Sequence, residues 1–125
     1  MKTILLLTLP VLMLAGCNDR SGGEYLGKWT RQIINRHQTL TQGERVDTIQ
    51  DTLTVERNGE GFMLRSARVF TQGKEQPTAY PARNVPALLK DGQLQVSGGL
   101  GAYVIDKSSG RLTAPDGEGD YIRAK

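Results

Sequence analysis

The sequence is poor in the residues that build covalent cross-links, metal sites and catalytic sets. It contains one cysteine, Cys17, and one histidine, His37. A single cysteine cannot form a disulfide within the chain, so the fold must rest on its apolar core. One thiol and one imidazole also fall short of the four ligands of a structural zinc site. We therefore expect neither a metal nor another cofactor.

Motifs that carry a catalytic nucleophile are also missing. Ser97, Ser108 and Ser109 do not lie in a Gly-x-Ser-x-Gly turn. The glycine-rich segment 97–101 lacks the lysine of a phosphate-binding loop. His37 lies in a polar segment, for which an exposed loop is expected, and no partner acid or nucleophile is evident beside it. The sequence thus indicates no catalytic residues and a protein that is not an enzyme.

The charge balance gives no sign of a nucleic-acid partner. Sixteen Lys and Arg residues stand against thirteen Asp and Glu residues, for a formal net charge of +3. The basic residues are scattered among the acidic ones instead of clustering. Binding of nucleic acid requires a basic patch or stripe, so we expect none here.

The first sixteen residues have the composition of a secretion signal. Lys2 gives a positive start, and an apolar run follows from Ile4 to Leu14. A run of about eleven residues is too short to span a bilayer as a helix, but it suits the apolar region of a signal peptide. Pro10 within the run also disfavours a stable helix. We assign residues 1–16 to a signal peptide, outside the mature fold.

The end of this run, Leu14-Ala15-Gly16-Cys17, resembles the lipobox of bacterial lipoproteins. The resemblance implies cleavage before Cys17 and attachment of lipid to that cysteine, so a membrane is the expected partner. Two or more acyl chains anchor a protein stably. Enteric-type lipoproteins kept at the inner membrane carry Asp directly after the cysteine. Asn18 at that position implies the periplasmic face of the outer membrane, with the inner membrane as the alternative.

The remaining chain divides into a tether and one small domain. Residues 17–23 are polar and contain glycines, which is typical of a flexible linker, here lipidated. Residues 24–125 consist of short alternating apolar runs separated by turn signals, a pattern typical of antiparallel β structure. We predict an all-β meander of about seven or eight strands, arranged as a sandwich or a barrel.

Local patterns place the main strands and turns. The first strand covers residues 27–33, with Trp29, Arg31 and Ile33 on one face. Asn58-Gly59 and Asp91-Gly92 are strong hairpin signals. The segment Ala79–Arg83 is extended but contains a proline, which favours a sheet edge.

Three further expectations concern the later strands. Phe62 and Leu64 differ in parity from the apolar residues after them, which predicts a β-bulge near Arg65-Ser66. Gly98-Gly99 is either a kink within one strand or a tight turn between two strands. The acidic, glycine-rich segment 116–120 is interpreted as a solvated turn in preference to a calcium loop.

Gly27 and Trp29 form a Gly-x-Trp pattern on the first strand, similar to that of the calycins, the lipocalin and avidin-like barrels. The resemblance implies that Trp29 closes one end of a barrel beside a ligand pocket. It also implies that a late arginine, Arg123, packs across the indole by a cation–π contact. The alternative is that Trp29 is the largest core residue of some other β fold.

These observations favour a non-catalytic binding or accessory protein held at a membrane, with a possible protein partner in the cell envelope. A calycin-like carrier of a small apolar ligand is one alternative, supported by Gly27, Trp29 and Arg123. A protein inhibitor of the lysozyme-inhibitor type is another, because known periplasmic lysozyme inhibitors are small β lipoproteins. Those inhibitors usually carry disulfides, which this domain lacks.

Overall fold

The computed structural model describes residues 21–41 and 43–125. The predicted signal peptide and lipobox, with Cys17 and Asn18, lie outside the described residues. The described residues begin with a short 3-10 helix, Gly23–Tyr25, and nothing helical in them could span a bilayer. The strands are β1 (Gly27–Thr39), β2 (Gly43–Asn58), β3 (Gly61–Gln72), β4 (Thr78–Ala79), β5 (Arg83–Lys90), β6 (Gln93–Val96), β7 (Ala102–Ile105), β8 (Leu112–Thr113) and β9 (Asp120–Arg123).

Eight of these strands form a closed antiparallel β-barrel, which confirms the all-β prediction and selects the barrel over the sandwich. The order around the barrel is β2-β1-β9-β8-β7-β6-β5-β3, and the pairing of β2 with β3 closes it. β4 is an additional short strand that pairs only with β3. Of the segment Ala79–Arg83 predicted at a sheet edge, Ala79 lies in this strand, whereas Arg83 begins the barrel strand β5. β4 aside, barrel neighbours are successive in the chain, as in the predicted meander, except that the last strand, β9, pairs with the first, β1.

One predicted hairpin turn lies at its sequence signal, and a second lies one residue after its signal. Asp91 and Gly92 join β5 to β6, and both have positive φ angles, of 54° and 77°. This is the conformation of a type I′ turn, whose twist matches that of the flanking strands. β2 and β3 are joined one residue later than the Asn58-Gly59 signal, because Asn58 already pairs with Gly61.

The register of β1, β2 and β3 arranges their inward side chains in layers across the barrel. An apolar layer at one end is followed by a charged layer and then by a second apolar layer. The cross-strand neighbours are Trp29, Leu53 and Ser66 in the first layer, Arg31, Asp51 and Arg68 in the second, and Ile33, Ile49 and Phe70 in the third. Along these three strands, the inward side chains therefore change from mainly apolar in the Trp29 layer to charged in the Arg31 layer, and then to apolar again in the Ile33 layer.

The 3-10 helix caps the apolar end of the barrel. Tyr25 and Trp29 are both 1% exposed. The Tyr25 hydroxyl donates to the carbonyl oxygen of Gly92 at 2.7 Å, on the opposite wall, and the Trp29 indole N–H donates to the Tyr25 carbonyl at 2.9 Å. Gly22, assigned to the tether by sequence, lies against this end, where a Cβ would stand 2.7 Å from the Phe62 ring. We call this end the capped end.

The bulge predicted near Arg65-Ser66 is absent. β3 pairs with β2 without interruption from Gly61 to Gln72. The apolar pattern in the sequence misled because the next two inward side chains after Leu64, those of Ser66 and Arg68, are polar, whereas the apolar Ala67 and Val69 have the opposite parity. An alternating apolar pattern identifies the inward face of a strand only where the barrel interior is apolar. Here the interior becomes charged, so the pattern no longer identifies that face.

Two other local expectations need correction or completion. The segment around His37 is part of β1, paired with β2, and is not a loop. Gly98-Gly99 is a turn between β6 and β7, with φ angles of 88° and 72°. The alternation in the sequence predicts that the even-numbered residues of this segment face the core. Because the turn shifts the alternation by one residue, Tyr103 and Ile105 of β7 pack toward the core instead.

Candidate functional site

The charged layer in the middle of the barrel is built around Asp51. Its carboxylate accepts from Arg31 Nε at 2.8 Å and from Arg68 Nε and Nη2 at 2.7 and 2.8 Å. Asp51 and Arg31 are 4% and 5% exposed. Burial raises the pKa of Asp51, but hydrogen bonds from Arg68 and Arg31 outweigh it and hold this pKa below its ordinary value. The carboxylate is thus ionised and shared between two arginines.

The loop between β8 and β9 folds onto the same arginines. Asp116 accepts from Arg31 Nη1 at 3.0 Å and Nη2 at 2.6 Å, and Glu118 accepts from Arg68 at 3.3 Å. The hydrogen bonds from Arg31 lower the pKa of Asp116 despite its partial burial. The segment is an exposed turn, as predicted, but Asp116 and Glu118 also form ion pairs with barrel residues, which the sequence did not indicate. These contacts hold the loop at the end of the barrel opposite the cap.

Tyr103 and Tyr121 lie beside the charged layer. The guanidinium carbon of Arg31 lies 4.4 Å from the centroid of the Tyr121 ring, a cation–π contact. The Tyr103 and Tyr121 ring centroids are 6.5 Å apart in a tilted arrangement. Burial raises the pKa of both hydroxyls, so they are neutral donors at physiological pH.

Two adjacent cavities open at this end, which we call the open end. One has a volume of about 330 Å³ and is lined by the charged layer, Tyr80 and Tyr121. The other has a volume of about 280 Å³ and an apolar lining. Each is close to the lower end of the range for small-molecule sites, about 300–1,000 Å³. Both cavities are lined in common by Ser66, Arg83, Tyr103 and Asp116.

The second cavity, which we call the apolar cavity, reaches into the barrel core. Its inner lining includes Leu53 and Leu64, which are 1% and 3% exposed and belong to the core cluster. Its rim carries Leu100, which is 69% exposed, and the neighbouring cavity carries Tyr80, which is 49% exposed. Exposed apolar side chains beside a concave apolar surface are typical of a binding site.

The residues named from sequence lie at the other end. Arg123 lies over Trp29, and a Cβ on Gly27 would stand 3.3 Å from Arg123 Nη1. Gly27 therefore leaves room for the arginine, at a φ of 115° that suits glycine. None of the three lines the two cavities of the open end. Cys17 lies outside the described residues.

Sequence reasoning missed Arg68, Arg83 and Asp116, which the barrel brings together from β3, β5 and the β8–β9 loop. One signal was present: Arg31 shares a face with Trp29 on the predicted first strand. A charged residue at an inward position requires a buried partner. Sequence alone does not identify that partner, because it lies on another strand.

His37 contacts the carboxylate of Asp47, in a cluster that joins neighbouring strands and lines neither cavity of the open end. Its Nε2 lies 3.1 Å from Asp47, which also accepts from Arg45 and from the backbone N–H of Gly73. Asp47 thereby fastens the end of β3 to β2. Within residues 21–41 and 43–125, no group of three or more metal-ligating side chains is placed to hold a metal ion.

No family model, curated protein or solved structure matches this chain. The chemistry of the open end therefore carries the functional interpretation.

Proposed function

We propose that this chain is a membrane-anchored, non-catalytic binding protein that takes a small, partly apolar ligand at the open end of its barrel. One observation carries the proposal: a barrel capped by Tyr25 and Trp29 opens at its other end onto a cavity that reaches the buried Leu53 and Leu64. Burying apolar ligand surface there contributes about 25 cal/mol per Å². Among the alternatives, this arrangement favours a calycin-like carrier over a protein inhibitor.

The anchor is part of the proposal and rests on the lipobox at Leu14–Cys17. Ser21 follows Cys17 by four residues, so the chain spans at most about 14 Å between them. The Ser21 carbonyl accepts from Arg57 at 3.2 Å, and the adjoining Gly22 packs at the capped end. A lipid on Cys17 would hold the capped end toward the membrane. The open end would then face the periplasm, away from the outer membrane.

The calycin-like interpretation has support at the capped end. Trp29 lies in the first barrel strand, and Arg123 in the last strand lies over its ring. This is the arrangement that the Gly-x-Trp resemblance implies. The eight-stranded closed barrel is also of the size whose interior holds side chains or one small ligand.

Photo-crosslinking of the full mature protein in lipid nanodiscs tests the binding site. The probe is a small alkyl diazirine, and mass spectrometry locates the labelled peptides. We expect labelling at the lining of the apolar cavity, on the peptides that contain Leu64 and Leu100. Labelling only of outward-facing strand positions would contradict the proposal.

Two leucines of similar exposure give a matched pair of variants. Leu100, 69% exposed, lines the apolar cavity, and Leu88, 60% exposed, is one of the β5 residues that line neither cavity of the open end. Leu100→Ser should lower labelling of the cavity several-fold, whereas Leu88→Ser should leave it unchanged. Equal effects of the two substitutions would indicate non-specific apolar contact.

A further inference from the structure

At the junction of the two open-end cavities, three side chains that can donate hydrogen bonds have no hydrogen-bond or ion-pair partner among the described residues. Ser66, Arg83 and Tyr103 line both cavities. In the described part of the chain, none of these side chains makes a hydrogen bond or an ion pair. By contrast, Arg31 and Arg68, which line the first cavity, are each bound to two carboxylates.

The fold places these donors close together. Arg83 begins β5 and pairs directly with Ser66 on β3. It has the same parity as Val85 and Ala87, which pack in the barrel, so its side chain belongs to the inward face. Tyr103 reaches the junction from β7, on the other side of the apolar cavity. Arg83 thus lies at the opening of the barrel, where its side chain is exposed to solvent and lines both cavities.

The carboxylate that lines both cavities, that of Asp116, already accepts several hydrogen bonds. Both oxygens of Asp116 accept from Arg31, and one of them also accepts from the backbone N–H of Glu118. Asp116 therefore has little capacity left for Arg83. The junction therefore presents unused donors and, in Arg83, an arginine with no ion pair among the described residues, beside an apolar cavity.

We infer that the ligand is a small amphiphile with a carboxylate group, which binds Arg83, Ser66 and Tyr103 while its apolar part fills the apolar cavity. The inference deepens the proposed function and rests on it. A carboxylate matches a guanidinium in two parallel hydrogen bonds. A phosphate monoester carries nearly two negative charges. It fits less well, because Asp116 and Glu118 line the same opening and would repel the second charge.

Isothermal titration of the mature protein in nanodiscs, with empty nanodiscs as the blank, tests the inference. The probes are hexanoate, hexan-1-ol and hexyl phosphate, which share one alkyl chain. A charge-assisted hydrogen bond is worth about tenfold or more in affinity, so hexanoate should bind about tenfold more tightly than hexan-1-ol. Hexyl phosphate should bind more weakly than hexanoate.

Two variants and one control test whether the junction causes the preference for hexanoate. Arg83→Gln should abolish the preference for hexanoate over hexan-1-ol and leave hexan-1-ol binding unchanged. Arg65→Gln is the matched control, because Arg65 is an exposed β3 arginine that lines neither cavity, and it should retain the full preference. Tyr103→Phe removes one hydroxyl and should weaken hexanoate binding a few-fold. Trp29 fluorescence reports whether each variant is folded.

The outcomes distinguish a failure of the carboxylate inference from a failure of the proposed apolar binding site. Equal binding of hexanoate and hexan-1-ol, or a preference that survives Arg83→Gln, would overturn the carboxylate inference and leave the apolar binding site standing. Tighter binding of hexyl phosphate would also overturn it. If none of the three probes binds, and the diazirine labels only outward positions, the proposed function fails as well.

Discussion

The guanidinium carbon of Arg123 lies 4.0 Å from the centroid of the Trp29 ring. The same arginine donates to the carbonyl oxygens of Leu26 at 2.5 Å and of Glu24 at 2.6 Å. It therefore joins the last strand to the segment that precedes the first strand. The ring contact covers the indole, and the two hydrogen bonds hold the 3-10 helix at the capped end.

The first prediction concerns this contact. Trp29→Ala should cost about 3–5 kcal/mol of unfolding free energy, as deletions of large buried aromatics do. Arg123→Ala should cost about 1–2 kcal/mol, because it removes the cation–π contact and the packing on the indole. The two effects should be coupled by at least about 0.5 kcal/mol in a double-mutant cycle.

Urea unfolding followed by far-ultraviolet circular dichroism measures these effects without relying on the single tryptophan. Arg111→Ala serves as the control, since the exposed side chain of Arg111 makes no described ion pair or side-chain hydrogen bond. Its effect should stay within about 0.5 kcal/mol. Strict additivity of the Trp29 and Arg123 substitutions would show that the contact contributes nothing to the cap.

The second prediction concerns the charged layer. Asp51→Asn should destabilise the barrel by about 3–5 kcal/mol, because it leaves the buried Arg31 without its carboxylate at Nε. Glu44→Gln removes a partner of Arg36 in an exposed pair at 3.6 Å and should cost less than about 1 kcal/mol. Similar unfolding midpoints in urea for the two variants would be inconsistent with a buried network.

The third prediction follows from the lowered pKa values of Asp51 and Asp116. A carboxyl with a lowered folded-state pKa stabilises the fold above its unfolded-state pKa, and this contribution is lost as pH falls through the folded-state pKa. The unfolding free energy should therefore decrease as pH falls below about 4. Urea midpoints measured between about pH 5 and pH 2.5 test this. Asp116→Asn should make the decrease less steep, and an unchanged slope would contradict the assignment.

Much of the fold follows from the sequence, but the charged layer does not. Strands and turns are local, so the Asp91-Gly92 turn and the alternation at Leu94 and Val96 predict them. The face of β3 that lies inside depends on partners from other strands. Arg68 is inward because Asp51 is opposite to it, and only the register reveals this.

The open end could not be predicted for the same reason. Turns separate Arg83, Tyr103 and Asp116 in the chain. The geometry of each turn decides which residues of the following strand face the barrel interior. The turn at Gly98-Gly99 alone decides that Tyr103 is inward. By contrast, the sequence itself associates Arg123 with Trp29, because the Gly-x-Trp resemblance supplies a non-local pairing.

The fourth prediction concerns the anchor. Cys17→Ser should abolish incorporation of labelled palmitate and cleavage by the lipoprotein peptidase, since the thiol is the proposed site of acylation. Asn18→Asp should keep the lipid but shift the protein toward the inner-membrane fraction. Palmitate labelling and sucrose-gradient fractionation measure the two effects. Undiminished labelling of the Cys17→Ser variant would refute the lipoprotein assignment.

The central claim is that ligand binds at the open end of the barrel and not at the Trp29 end. Amide chemical-shift mapping of the isotope-labelled mature protein, titrated with hexanoate in nanodiscs, measures this most directly. We expect saturable shifts at Leu64, Ser66, Arg83 and Tyr103, with no comparable shifts at Tyr25 or Trp29. Shifts concentrated at the capped end, or spread evenly over the outward face of the barrel, would contradict the claim.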